Sequence, residues 1–170
     1  MQDYTFIDLD GVILDSEERM LERKYDIGLR NHNDKLQFIQ YFEYTNFHPE
    51  EWDYIIRDAK QINNSVDIIR ELENLKKKIA ILTKIHTLYE MKVKVNDIRM
   101  NRKINCPIIF VPSGCKKHSI IIPNGQLLVD DSKKNIAGWN ANGGVGYVFD
   151  PSLPYDAIEK VKSLEFLLKR

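Results

Sequence analysis

The chain has 170 residues, with 25 basic and 25 acidic side chains and a formal net charge of zero. At about 150 residues per domain, this length makes one domain able to bury a core. The 43% hydrophobic and 29% charged content excludes wholesale disorder, and the even charge balance argues against a dedicated binder of duplex nucleic acid, which carries a basic excess.

Residues 4–9 form a short apolar run that stops at Asp10 and Gly11. Similar runs follow at 79–83, 107–111, 126–130 and 145–149. Each is β-branched or aromatic and apolar at successive positions, the pattern of strands buried on both faces. Helical spacing separates them. Val66, Ile69, Leu72 and Leu75 predict a helix over 65–77, with Ser65 as its cap. Leu88, Met91, Val95 and Ile98 predict a second apolar stripe. Ser132 caps a third helix, through Ile136 and Trp139, that ends at Gly143-Gly144. Ile158, Val161, Leu164 and Leu168 predict a last one. Strand and helix alternation implies an α/β fold, doubly wound, with a mainly parallel five-stranded sheet.

Residues 15–64 break the alternation and read as helical over 19–29, 33–44 and 50–61. A stretch of that length is too long for a loop. It is expected to be a small helical insert, leaving 1–14 plus 65–170 as the core domain. The insert is rich in rings: Phe38, Tyr41, Phe42, Tyr44, Phe47, Trp52 and Tyr54. They suit a compact insert core, and one or two could stack on a flat substrate group. No apolar run approaches the 18 or so residues of a membrane span. The segment Met1-Gln2-Asp3-Tyr4 lacks the basic start and apolar stretch of a signal peptide. Cys106 and Cys115 make neither a disulfide framework nor a four-ligand zinc site. The expectation is a soluble protein of a reducing compartment, the cytoplasm, without a membrane partner.

Chemistry gathers at the strand ends. Asp8 and Asp10 close the first strand, where ligands of open α/β sheets bind. Two adjacent carboxylates repel unless a cation joins them, and Mg2+ is the simplest hard cation for oxygen ligands. Asp130 and Asp131 close a later strand. Thr83 ends another, and Lys116 or Lys117 follows a fourth. Acidic pairs, a hydroxyl and an amine suit phosphoryl transfer: carboxylates hold a metal, hydroxyl and amine bind phosphate oxygens, and one carboxylate attacks phosphorus.

This order resembles the haloacid dehalogenase superfamily of phosphatases and phosphotransferases. Residues 6–12, ending Asp-Leu-Asp-Gly-Val, are similar to its first motif. Residues 81–83 resemble the second, Lys117 (or Lys116) the third, and 127–132, with Asp130-Asp131, the fourth. The insert falls where this superfamily places a small helical cap. Residues 125–139, followed by Gly143-Gly144, are similar to its 5'-nucleotidase and deoxyribonucleotidase branch. The resemblance implies that Asp8 is the nucleophile and a Mg2+ ligand. It implies that Asp10 is the general acid and then the base, with a raised pKa, and gives the metal its backbone carbonyl. Thr83 then binds the transferring phosphoryl group and Lys117 neutralises charge. Asp131, with Asp130 close behind or bridging through water, holds the metal. Backbone amides near Leu9 and Lys84 contact phosphate. The implied activity is a Mg2+-dependent phosphatase acting through an aspartyl-phosphate on a small phosphorylated metabolite such as a nucleoside monophosphate. A sugar-phosphate phosphatase or mutase, a dehalogenase and a catalytically silent binding domain are the other readings. A signalling receiver domain also uses acidic residues, Thr and Lys, but places its Lys last in the chain. Here Lys117 precedes the second acidic pair.

Overall fold

All five apolar runs form strands in the computed structural model, which describes residues 4–26, 45, 48–157 and 159–170. The strands are β1 (Thr5–Ile7), β2 (Ile79–Ile85), β3 (Ile108–Pro112), β4 (Leu127–Asp130) and β5 (Val145–Phe149). A sixth, β6 (Lys160–Val161), joins the edge. The order is β3-β2-β1-β4-β5-β6, with every neighbouring pair parallel.

The runs are continuously apolar because both faces are covered. Ile7, Ile81 and Val129 point to one core layer, while Phe6, Leu82 and Leu128 point to the other. The second layer closes on Trp139, whose ring meets Phe6 edge-on at 5.5 Å and whose Nε1 donates to the Gln126 carbonyl at 2.9 Å. Burying one such side chain stabilises by roughly 1.5–3 kcal/mol.

The helices are α1 (Ser16–Asp26), α2 (Glu51–Arg57), α3 (Ser65–Asn74), α4 (Leu88–Asn96), α5 (Lys117–Ile120) and α6 (Lys133–Ala141). The third, α3, differs from expectation in two details. Ser65 is the first residue of α3 rather than its cap: Asn64 takes the cap position with a left-handed backbone, and Ser65 Oγ donates to the Ile13 carbonyl at 2.8 Å. Leu75 lies beyond that helix and is 53% exposed. Ser132 does cap α6, accepting from the Asn135 amide.

Two further readings are corrected. The sheet has six strands, not five. The apolar stripe through Val161 and Leu164 is β6 followed by a short 3-10 turn, Leu164–Leu167, rather than one helix. Pairing with β5 at Phe149 and Val161 captures that segment's backbone. Ile158 lies outside the described residues.

The described parts of segment 15–64 pack into the core: Met20, Trp52, Ile55, Ile56 and Ala59 share a cluster with Ile7 and Leu9. The Asp15 amide donates to the Lys60 carbonyl and the Ile62 amide to the Ile13 carbonyl. Asp15 Oδ1 caps α1 by accepting from the Glu18 amide. Arg23 and Glu51 tie α1 to α2 with two hydrogen bonds of 2.7 and 2.9 Å. The helix expected over 33–44 and the rings Phe38, Tyr41, Phe42, Tyr44 and Phe47 lie outside the described residues. Among the described residues, no helix is long and apolar enough to cross a membrane.

Candidate active site

The sheet order reverses around β1, where chain connections run one way to β2 and the other way to β4. A crevice opens at such a switch point, beyond the carboxyl ends of the strands. Asp8 and Asp130 sit there at the ends of adjacent strands. Lys117, at the start of α5, lies between them. Its Nζ is 2.6 Å from Asp8 Oδ2 and 2.7 Å from Asp130 Oδ2, and all three side chains are buried. Lys116 is exposed, so Lys117 is the lysine that reaches the strand ends.

Carboxylate oxygens of Asp8, Asp130 and Asp131 lie within 4.8 Å of one another. Burial pushes the Asp8 carboxyl well up. Lys117 pulls against it, and the neighbouring Asp130 and Asp10 push the same way as burial. Burial and the adjacent Asp130 raise Asp131 to about 6. An all-oxygen set of mutually repelling carboxylates fits a hard divalent cation such as Mg2+. Asp130 is the most tied down of the three. It accepts from Lys117, from the Ser132 amide and, at 3.0 Å on both oxygens, from Asn135 Nδ2. Asp131 is only half-buried and lies against Gly11.

Asp10 faces the other way, towards β2 and α4. Its Oδ1 accepts from Ser16 Oγ at 2.7 Å, and its Oδ2 accepts from Thr83 Oγ1 at 3.1 Å and Lys94 Nζ at 2.6 Å. Its side chain is therefore not grouped with the three clustered carboxylates. Burial alone would raise the Asp10 carboxyl, but the Lys94 ammonium outweighs it and holds the group below its ordinary value. The raised pKa expected for Asp10 is thus corrected in the free protein, and Lys94 is the cause. Thr83 is buried and sits inside β2, which runs on to Ile85 rather than ending at Thr83. The Leu9 amide donates to Asp8 Oδ1 at 2.8 Å, so it is committed to that carboxylate. The Lys84 carbonyl accepts from Lys94 Nζ at 2.9 Å.

No family model matches the chain, and no curated protein matches it. Solved structures do. A Thermotoga maritima chain described as a candidate beta-phosphoglucomutase superposes with a TM-score of 0.65 at 15% identity, covering 98% of this chain and 99% of that one. A Had-superfamily hydrolase from Ehrlichia chaffeensis gives 0.56 at 10% identity, covering 99% and 95%. An L-2-haloacid dehalogenase from Xanthobacter autotrophicus gives 0.54 at 12%, covering 91% and 80%. The chain has the haloacid dehalogenase-like fold.

Within that haloacid dehalogenase-like fold, Lys94 is the residue that the sequence patterning passes over. The stripe of Leu88, Met91, Val95 and Ile98 predicts an apolar inward face for α4. Instead Leu88 is 76% exposed, and Glu90, Val93 and Lys94 are buried. Glu90 and Lys94 are one helical turn apart and pair at 2.7 Å. Glu90 also accepts from the His86 amide at 2.6 Å. Trp52 from α2 stacks on the His86 ring, with centroids 6.0 Å apart. A cavity of about 160 Å³ runs beside this chain of contacts, lined by Asp10, Ser16, Trp52, Lys84 and Glu90 among others. The signal that could have found Lys94 is the charged pair Glu90–Lys94 at helical spacing, directly after the β2 strand.

Proposed function

We propose that the protein is a Mg2+-dependent phosphomonoester hydrolase in which Asp8 attacks phosphorus and forms an aspartyl-phosphate. The observation that carries the reading is the buried Lys117 ammonium within 2.7 Å of both Asp8 and Asp130, with Asp131 completing an oxygen-only cluster. Asp8, Asp130 and Asp131 would hold the ion, and Asp10 would add its backbone carbonyl. Bound there, Mg2+ supplies charge neutralisation for a phosphate dianion and its transition state. Lys117 does the same from the protein side, and Thr83 hydrogen-bonds the transferred group.

Asp10 is then the proton carrier. In the free protein it is a carboxylate held by Lys94. A phosphate dianion arriving next to it raises its proton affinity, so Asp10 takes up a proton in the complex and gives it to the leaving oxygen. As a carboxylate again, it removes a proton from the water that hydrolyses the aspartyl-phosphate.

Structural neighbours on this fold include dehalogenases as well as phosphotransfer enzymes. Halide leaves without a proton, so a polar cradle of Ser16, Thr83 and Lys94 around a second aspartate favours phosphoryl chemistry. The narrower reading is a nucleoside monophosphate substrate, supported by the 125–139 resemblance and by the Trp52 ring lining the cavity beside Asp10. Asp8→Asn with p-nitrophenyl phosphate and Mg2+ is expected to lose turnover entirely; retained activity refutes the nucleophile. A phosphomonoester panel separates nucleotides from sugar phosphates. A clear preference for sugar phosphates would remove the narrower reading only.

A further inference from the structure

A second cavity, of about 440 Å³, opens beside the first. Its wall includes Lys84, Lys116, Lys134, His118, Ser113 and Asn135, and among the described residues no carboxylate lines it. That composition is unusual in a chain with equal numbers of acidic and basic residues. A further cavity, at the strand-end turn of β1, is walled by Asp15, Glu17 and Asp131 with a single lysine, Lys60. Lys84, Lys116 and Lys134 come from three separate places at the strand ends: the last residues of β2, the loop after β3 and the first turn of α6. Among the described residues none of the three is engaged by an acidic side chain. Three like charges facing one concavity cost free energy unless an anion joins them.

The cavity adjoins the candidate active site. Lys84 lines both it and the cavity that contains Asp10. Asn135, on its floor, donates to Asp130 at 3.0 Å. A phosphate at Asp8 therefore has a basic chamber beside it, walled in part by Lys84.

We infer that the substrate carries a second phosphate group, and that the Lys84–Lys116–Lys134 chamber holds it while Asp8 acts on the first. The substrate class is thus a bisphosphorylated metabolite, in the chemistry of a nucleoside or sugar bisphosphate, rather than a simple monophosphate. The inference rests on the phosphatase reading and takes the place of the nucleoside monophosphate within it. Lysine contacts to phosphate are charge-assisted and salt-sensitive, so each engaged lysine adds affinity that declines with ionic strength.

The test compares propane-1,3-bisphosphonate with propylphosphonate as competitive inhibitors of p-nitrophenyl phosphate turnover, at fixed free Mg2+. The bisphosphonate is expected to bind about tenfold tighter or better. The exposed pair K116A/K134A is expected to remove most of that preference while leaving p-nitrophenyl phosphate turnover and propylphosphonate inhibition unchanged. K116R/K134R is expected to keep the preference. Equal inhibition by the two probes overturns the inference, as does a preference undiminished in K116A/K134A. Calorimetric titration of the same two probes reads the chamber without turnover. Loss of p-nitrophenyl phosphate hydrolysis in the wild-type protein therefore counts against the phosphatase reading, and equal calorimetric affinities count against the second phosphate.

Discussion

Lys94 and Asp10 face each other at 2.6 Å, with Glu90 on the far side of the ammonium at 2.7 Å. Lys94 and Glu90 are each 1% exposed, so neither charge has water to fall back on. Removing one partner of a buried ion pair costs about 3–5 kcal/mol, because the other charge is left uncompensated. Lys94→Met is therefore expected to lower thermal stability by that order, and the double variant E90Q/K94M to recover most of it. Activity is expected to behave differently. With Asp10 no longer held, turnover should fall by up to about 100-fold in both variants, most strongly for alkyl phosphates whose leaving group needs a proton. Equal losses for aryl and alkyl phosphates would argue against Asp10 as the proton carrier.

At the level of elements, the turn between β1 and α1 sets the spacing of the site. Gly11 adopts φ +72°, a left-handed conformation that side chains disfavour. A Cβ there would sit 2.5 Å from Asp131 Oδ2. The turn thus lets Asp131 approach the end of β1 through the absence of one carbon. Gly11→Ala is expected to cost about 1–2 kcal/mol in backbone strain alone. It should also push Asp131 away and raise the Mg2+ concentration needed for half-maximal activity; an unchanged Mg2+ titration would show that Asp131 does not hold the ion. The α4 helix carries a second lesson of this scale. Its apolar residues suggested one inward face, but the buried Glu90, Lys94 and Asp97 recur at spacings of four and three along the helix and its π-helical continuation. Periodicity counts apolar residues and assigns charge to solvent. It fails where a charged stripe is buried by pairing.

For the molecule as a whole, zero net charge conceals a buried network of opposite charges at one sheet edge. Asp8 and Asp131 have carboxyl groups raised above the ordinary 3.8. A carboxyl raised in the folded state binds a proton more readily there than in the unfolded chain. Without metal, its contribution to stability is therefore greatest at low pH and declines as pH rises through about 4 to 6, the window set by Asp131. Added Mg2+ competes with those protons, so its stabilisation should grow over the same window. The melting temperature is expected to rise with Mg2+ much more at pH 7.5 than at pH 5. A Mg2+ effect independent of pH would exclude these carboxylates as ligands.

The linear chain determined a good deal on its own. Apolar runs buried on both faces must be parallel strands between helices, and acidic residues at the ends of such runs are brought to the crevice. Hence the α/β sheet and the positions of Asp8, Asp130 and Asp131 follow from local pattern. Ser132 as the α6 cap and Asp15 as the α1 cap follow from local hydrogen-bonding chemistry. What required the tertiary structure is every choice among neighbours that distance alone makes. Lys117 rather than Lys116 reaches the carboxylates because α5 turns one inward and the other to solvent. Lys94 meets Asp10 across 84 residues of sequence, and that contact reverses the direction of the Asp10 pKa. The short β6 exists because β5 offers it a backbone edge, where its own spacing reads as helix. Electrostatic partnership and edge pairing are long-range, and a period read along the chain does not contain them.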